Sequence, residues 1–152
     1  MRLWHKDLIP VLPNKQLISQ WRECCLIAKN ISENGTPNHL LVNKVTQYPI
    51  NHLYVYGMYV YIILKSRNFD VNLSRFTSFE CFDNLLDQEV SIEDIFPEWH
   101  TKRYLTQCYF NLQEKYDCGG MTKKEWEKIY NVVHGTSRED FWWTCEENDI
   151  EV

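Results

Sequence analysis

The chain lacks an apolar run long enough to cross a bilayer, and its first residues lack the apolar core of a signal peptide. Its 152 residues also contain no internal repeat and no low-complexity linker. We therefore expect a single domain spanning residues 1–152, a cytoplasmic location and no membrane partner. The segment from about residue 144 onward has acidic but no basic side chains, which predicts an acidic tail.

Metal-binding patterns are missing as well. The six cysteines form no C-x-x-C pair, and the five histidines follow neither H-x-x-x-H nor H-E-x-x-H spacing. Cys24 and Cys25 are adjacent, but no neighbouring histidine is present to activate either thiol. We therefore expect free thiols, no bound metal and no other cofactor.

Positive charge is in short supply. The chain has 16 Lys and Arg against 21 Asp and Glu, which gives a net charge of −5. This balance argues against a generally electropositive surface, so any nucleic-acid binding must use a local basic patch. Aromatic residues are plentiful at 14%, and such rings fill cores, stack on bases or anchor interfaces.

The apolar residues recur mainly at three- and four-residue steps. This periodicity predicts a compact all-α bundle of three long helices with shorter helices and loops. The first helix is expected over Lys15–Lys29, with Asn14 as its N-cap. The second, apolar almost all round, is expected to begin at Pro49 or to use Asn51 as its cap. It should end near Asn68 as a buried core helix.

Turn and cap signals divide the rest of the chain. Residues 30–38 and 69–90 are expected to be loops, the latter with short helical pieces. A third helix is predicted over Pro97–Tyr116, and a capping box at Thr122 and Glu125 starts a fourth that ends near Val133. The apolar cluster Phe141–Trp143 is expected to dock on the core.

The beginning of the chain combines three chemically useful groups. An α-amine ordinarily has a pKa of roughly 7.7–8.0 against about 10.4 for lysine, so much more of it is free base at neutral pH. The amine of Met1 could therefore attack a carbonyl equivalent, while Glu23 moves protons and Arg22 holds a phosphate. The alternative is a frayed terminus beside a solvated Arg–Glu pair.

The run from Leu12 to Glu23, with its Trp21-Arg22-Glu23 ending, resembles the first helix of the phage pyrimidine-dimer DNA glycosylases, the all-α family named after endonuclease V. Met1-Arg2-Leu3 is similar to that family's amino-terminal stretch, in which a basic residue follows the catalytic amine. Weaker similarity continues over His39–Asn72 and Asn111–Lys115.

In that family the amine attacks C1′ of the damaged nucleotide, the glycosidic bond breaks, a Schiff base forms and elimination cuts the strand. The resemblance implies that Met1 is the nucleophile and Glu23 the acid/base group. It also implies phosphate contacts by Arg2, Arg22 and Lys115, and a partner that is double-stranded DNA with a damaged base or abasic site.

The chain departs from the family pattern at several positions. Arg2 is too large to permit removal of the initiator residue, so Met1 should keep its place and supply the amine. Gln16, Leu26 and Asn111 stand where the family has histidine or arginine. Each missing cation weakens phosphate binding. We therefore expect a narrow DNA groove or a substrate other than the dimer.

Further residues are candidates for the surroundings of this site. His5, Trp21 and His39 are candidates for its lining. A polar stripe formed by His100, Arg103, Gln107 and Asn111 faces either nucleic acid or solvent, with Arg103 the candidate DNA contact.

Two other functions stay open. The fold could be a non-catalytic binding module that uses exposed tryptophans for a protein partner, the candidates being Trp4, Trp99, Trp142 and Trp143. Alternatively, the amine and carboxylate could act on a glycosidic bond outside DNA. The sequence does not indicate the oligomeric state.

Overall fold

The computed structural model describes residues 1–135, and over this range every regular element is helical. The α-helices are α1 (Asn14–Asn34), α2 (Ile50–Ser66), α3 (Ser74–Thr77), α4 (Lys102–Asp117) and α5 (Lys123–Gly135), and 3₁₀ turns form at Lys6–Val11, Asn43–Gln47 and Glu80–Phe82. The all-α prediction is confirmed. The expected docking of Phe141–Trp143 and the acidic tail lie outside the described residues.

Helix α1 begins earlier and ends later than its apolar pattern predicted. Asn14 is its first residue and makes no cap; its side chain instead accepts a hydrogen bond from Arg67 (3.0 Å). The helix continues to Asn34, and Gly35 ends it in the left-handed region at φ 75°, donating its N–H to Ile31 (2.8 Å). The expected loop therefore shrinks to the residues after Asn34.

Helix α2 matches its prediction closely. It follows Pro49 and stops before Arg67, and its buried face consists of the expected residues Leu53, Tyr56, Gly57, Val60 and Leu64. Its opposite side is not fully enclosed, since Ile62 is 54% exposed. Asn51 lies within the helix and is not its cap, because its amide bonds the backbone of Leu86 and Gln88 across the fold.

Helix α4 starts at Lys102 and not at Pro97. Phe96 adopts a left-handed φ of 48°, and Thr101 caps the helix by accepting from the N–H of Tyr104 (3.3 Å). The preceding turns bury Phe96 and His100, so His100 is 6% exposed and does not join the polar stripe predicted with Arg103. Tertiary burial of aromatic rings has overridden the helix-start signal of the proline.

The capping box before α5 forms as predicted. The N–H of Thr122 donates to Glu125 Oε1 (2.9 Å) and the N–H of Glu125 donates to Thr122 Oγ1 (3.1 Å). In the assembled fold α1 packs on α2 and α4 packs on α5, while the turn Lys6–Val11 contacts both α2 and α5. Among the described residues, no helix is both long and apolar enough to cross a membrane.

Candidate active site

A fully buried glutamine ties the amino terminus to helix α1. Gln20 Oε1 accepts from the N–H of Trp4 (2.8 Å) and from the hydroxyl of Tyr56 (3.0 Å). Gln20 Nε2 donates to the carbonyl of Arg2 (2.8 Å) and to Glu23 Oε2 (3.3 Å). Both acceptor positions and both donor hydrogens of the amide are used, so the first residues and the Glu23 carboxylate are held in one network.

The same carboxylate meets the start of the chain directly. The N–H of Arg2 donates to Glu23 Oε2 at 3.2 Å. The α-amine of Met1 is three covalent bonds from that N–H and therefore lies within about 4 Å of it. The fold thus brings Met1 and Glu23 together, although 22 positions separate them in the sequence. Both side chains are half-buried.

A cavity of about 460 Å³ opens beside Arg2. Its aromatic wall contains Trp99 and Tyr104, and its polar wall contains Gln107 and Asn111. The hydroxyl of Tyr104 donates to the carbonyl of Leu3 (2.7 Å), which fixes this wall against the amino-terminal segment. The volume and the mixture of apolar and polar groups are those of a small-molecule or nucleotide pocket.

The two histidines proposed as lining residues have different surroundings. His5 is 3% exposed, donates from Nε2 to the carbonyl of His100 (3.1 Å) and stacks on that ring (5.1 Å), so it belongs to the core. Burial lowers the pKa of His5 and keeps it neutral. His39 makes hydrogen bonds within its own turn, to Leu41 and Asn43, and directly precedes Leu40 and Leu41, which line the cavity beside Arg2.

Trp21 and Arg22 line the same two neighbouring cavities but differ in exposure. The Trp21 ring is 7% exposed and packs against Phe76 (5.6 Å) and Tyr61 (5.8 Å). The Arg22 side chain is exposed. Arg75 lines both cavities with them, and no local sequence pattern predicted this arrangement.

The two cations predicted on α4 are exposed but are not gathered at the carboxylate. Arg103 directly precedes Tyr104, so it lies close to the cavity beside Arg2. Lys115 is eleven residues beyond Tyr104, about 16 Å farther along the helix. It therefore marks the far end of the stripe that Gln107 and Asn111 continue.

The two cysteines that follow Glu23 in the sequence are poor nucleophiles. Cys24 is fully buried, and burial raises the pKa of its thiol well above the ordinary value. Burial likewise raises the pKa of Cys25 to about 11, only partly opposed by the nearby charge of Arg75. Both thiols are therefore protonated near neutral pH and poorly nucleophilic.

The structure also bears on the binding-module hypothesis and on metal binding. Trp4 and Trp99 are 8% and 5% exposed, so neither offers the exposed ring that the binding-module hypothesis needs; Trp142 and Trp143 lie outside the described residues. Residues 1–135 contain no group of three or more His, Cys, Asp or Glu side chains arranged to hold a metal ion.

Comparison with known families supplies the remaining evidence. A sequence profile described as pyrimidine dimer DNA glycosylase matches residues 1–77, just over half of the chain. The chain belongs to this family. Neither a curated protein nor a solved structure gives a significant match.

The family match covers part of the candidate site. Met1, Arg2, Trp21, Arg22 and Glu23 all fall within the matched residues. The cavity walls on α4 fall outside them, as do Arg103 and Lys115. The cavity beside Arg2 is therefore lined by both the matched and the unmatched part of the chain.

Sequence reasoning missed Gln20, and one signal for it was present. Gln20 stands one turn before Cys24, on the apolar face of α1, where a polar side chain must find partners if it is buried. No comparable signal marked Arg75, because its position depends on how α3 folds back on α1.

Proposed function

We propose that this protein is a DNA glycosylase with abasic-site lyase activity. Its substrate is duplex DNA that carries a damaged base or an abasic site. The nucleophile is the α-amine of Met1, and Glu23 is the acid/base group. One observation carries the proposal: the N–H of Arg2 contacts Glu23 at 3.2 Å, which puts the start of the chain at that carboxylate.

The chemistry follows from these two groups. The free amine donates its lone pair to C1′ and forms a bond to it. The bond from C1′ to the base breaks, and the base leaves with the electrons of that broken bond. The bond from C1′ to the ring oxygen then opens as the oxygen is protonated, which leaves a Schiff base. Removal of a proton from C2′ expels the 3′ phosphate, and water later releases the enzyme. Glu23 is placed to donate and accept these protons.

The surroundings support a DNA substrate. A base that reacts in a duplex must leave the stack, and the cavity of about 460 Å³ lined by Arg2, the residue after Met1, offers room for one. Arg2 and Arg22 flank Glu23 and are the proposed phosphate contacts nearest the chemistry. Arg103 and Lys115 are proposed as further contacts along α4.

Borohydride trapping tests this proposal. The untagged protein is incubated with a duplex that contains one abasic site, and borohydride reduces any Schiff base to a stable bond. We expect a covalent protein–DNA adduct, and its absence would overturn the amine mechanism. An amino-terminal extension should abolish the adduct while duplex binding persists.

A matched pair of variants tests the carboxylate. Glu23→Gln keeps the size of the side chain but removes its acid/base capacity, so strand cutting should fall at least about a hundredfold. Glu33→Gln changes an exposed glutamate near the end of the same helix and should cut normally. Equal cutting by both variants would remove Glu23 from its proposed role.

A further inference from the structure

The net charge of −5 conceals a division along the chain. Residues 1–77 contain nine Lys and Arg against four Asp and Glu, whereas residues 78–152 contain seven against seventeen. The family-matched part therefore carries +5 and the remainder −10. Residues 78–98 alone hold seven acids and no base. DNA phosphates are attracted to the first part and repelled by this acidic segment.

Part of the positive charge is concentrated beside Glu23. Arg22, Lys29 and Arg75, here called the basic surface, all have exposed side chains. Arg22 and Arg75 line a cavity of about 320 Å³ together, and a neighbouring cavity of about 370 Å³ is lined by all three. Among residues 1–135, the only acidic residue that lines either cavity is Asp70, in the smaller one.

The geometry of the basic surface suits a nucleic-acid strand. Arg22 and Lys29 are two turns apart on one face of α1, a separation of about 10 Å along the axis. Arginine and lysine side chains are long, so the two cations can contact different phosphates of one strand that follows α1. Arg75 approaches from α3, which is anchored by the buried ring of Phe76 against Trp21 (5.6 Å).

The three cations are available for a ligand. Within residues 1–135, none of them forms an ion pair with a carboxylate. Glu23, the acidic neighbour of Arg22, is occupied by Arg2 and Gln20. The positive charge of the surface is therefore not neutralised by the described part of the protein.

We propose that Arg22, Lys29 and Arg75 together bind backbone phosphates of duplex DNA, so that the strand runs along α1 past Arg75. This inference rests on the proposed function, and it adds Lys29 and Arg75 to the DNA-binding residues.

The salt dependence of binding tests the basic surface. Affinity for an undamaged duplex is measured between 50 and 200 mM salt for the wild type, Lys29→Gln and Arg75→Gln. The slope of log K against log salt is negative, and each lost phosphate contact makes it shallower by about 0.9. Each variant should therefore lose about 3.5-fold less affinity than the wild type over this range.

Two controls sharpen the result. Arg75→Lys keeps the charge and should keep the wild-type slope, while Lys128→Gln removes an exposed lysine from α5 and should not change it. Slopes for Lys29→Gln and Arg75→Gln that equal the wild-type slope would overturn the proposal. A slope change in Lys128→Gln as large as theirs would do the same.

Trapping at low salt separates the two proposals. If the wild type forms the borohydride adduct but the variants keep the wild-type salt slope, DNA binding by the basic surface is disproved and the amine mechanism stands. If the variants have shallower slopes but the wild type forms no adduct, DNA binding by the basic surface stands and the amine mechanism is disproved.

Discussion

Residues 1–77 and residues 78–135 contribute different things to the candidate site. The first part supplies the amine, the Glu23 carboxylate and the Gln20 network that holds them. The second part supplies one wall of the adjoining cavity, through Trp99 and Tyr104. The matched part thus holds the proposed reactive groups, while the pocket is shaped jointly by it and by a part that the family profile does not match.

The largest loss of stability is expected at Gln20, which ties the first residues of the chain to helix α1. Gln20→Leu leaves the Trp4 N–H and the Arg2 carbonyl without their partner, while the Tyr56 hydroxyl keeps its bond to the Trp4 carbonyl (2.6 Å). Each unsatisfied buried group costs about 1–3 kcal/mol, so the free energy of unfolding should fall by about 2–6 kcal/mol. Chemical denaturation measures this loss.

Gln16 provides the matched control on the same helix. Its Oε1 is buried without a hydrogen-bond partner, so Gln16→Leu removes an unsatisfied atom. We expect stability to be unchanged or slightly higher. If the two variants lose stability equally, Gln20 is not the anchor described here.

The next largest loss of stability is expected at Gly57, which packs against α3, the helix that carries Arg75. A methyl group at Gly57 would collide with the ring of Phe76, the residue that anchors α3. Gly57→Ala should therefore cost about 3 kcal/mol, the upper end of the usual range for overpacking, in thermal or chemical unfolding. In Gly135→Ala the added methyl group meets no atom of residues 1–135, so this variant should not destabilise the protein. An unaffected Gly57→Ala protein would contradict the packing of α2 on α3.

A smaller effect is expected where the two parts meet, at the stacked pair of His5 and His100. Burial lowers the pKa of His100 to about 2, so this ring stays neutral in the folded protein. Below a pH of about 6.5 the unfolded state takes up the proton and the folded state does not, so stability falls as the pH falls. His100 alone should cost about 1.4 kcal/mol per pH unit, or about 2 kcal/mol at pH 5.

Unfolding measured from pH 7 to pH 5 checks this contribution. His100→Gln should flatten the dependence by about one proton, and His5, whose pKa is also lowered, contributes with the same sign. A His100→Gln protein as acid-sensitive as the wild type would refute the neutral buried pair.

The smallest effect tests the cavity wall. Tyr104→Phe removes the hydroxyl that donates to Leu3, with an expected loss of about 1 kcal/mol. Tyr116→Phe changes a tyrosine on the same helix that makes no hydrogen bond to the described residues, and stability should not change. Equal losses would show that the bond to Leu3 does not hold the wall.

Sequence patterns predicted the fold wherever the cause was local. The buried stripe of α2 and the capping box of α5 depend on residues within one or two turns, and both were predicted correctly. The errors came from distant partners. Asn14 and Asn51 bond residues far along the chain and cap nothing, and burial of Phe96 and His100 delays the start of α4.

The site was predictable to a similar extent. The family resemblance singled out Met1 and Glu23, which the fold brings together. It could not indicate that His5 would turn into the core, or that Arg75 would reach Arg22 from another helix. Those placements depend on how α3 and the segment before α4 pack, and no short-range pattern encodes that packing.

The central claim is that the Met1 amine forms the covalent intermediate. The adduct trapped with borohydride on abasic DNA can be digested and its modified peptide identified by mass spectrometry. We expect the modification on the peptide that begins at Met1, at its α-nitrogen. Modification of a lysine side chain, with the Met1 amine unmodified, would contradict it.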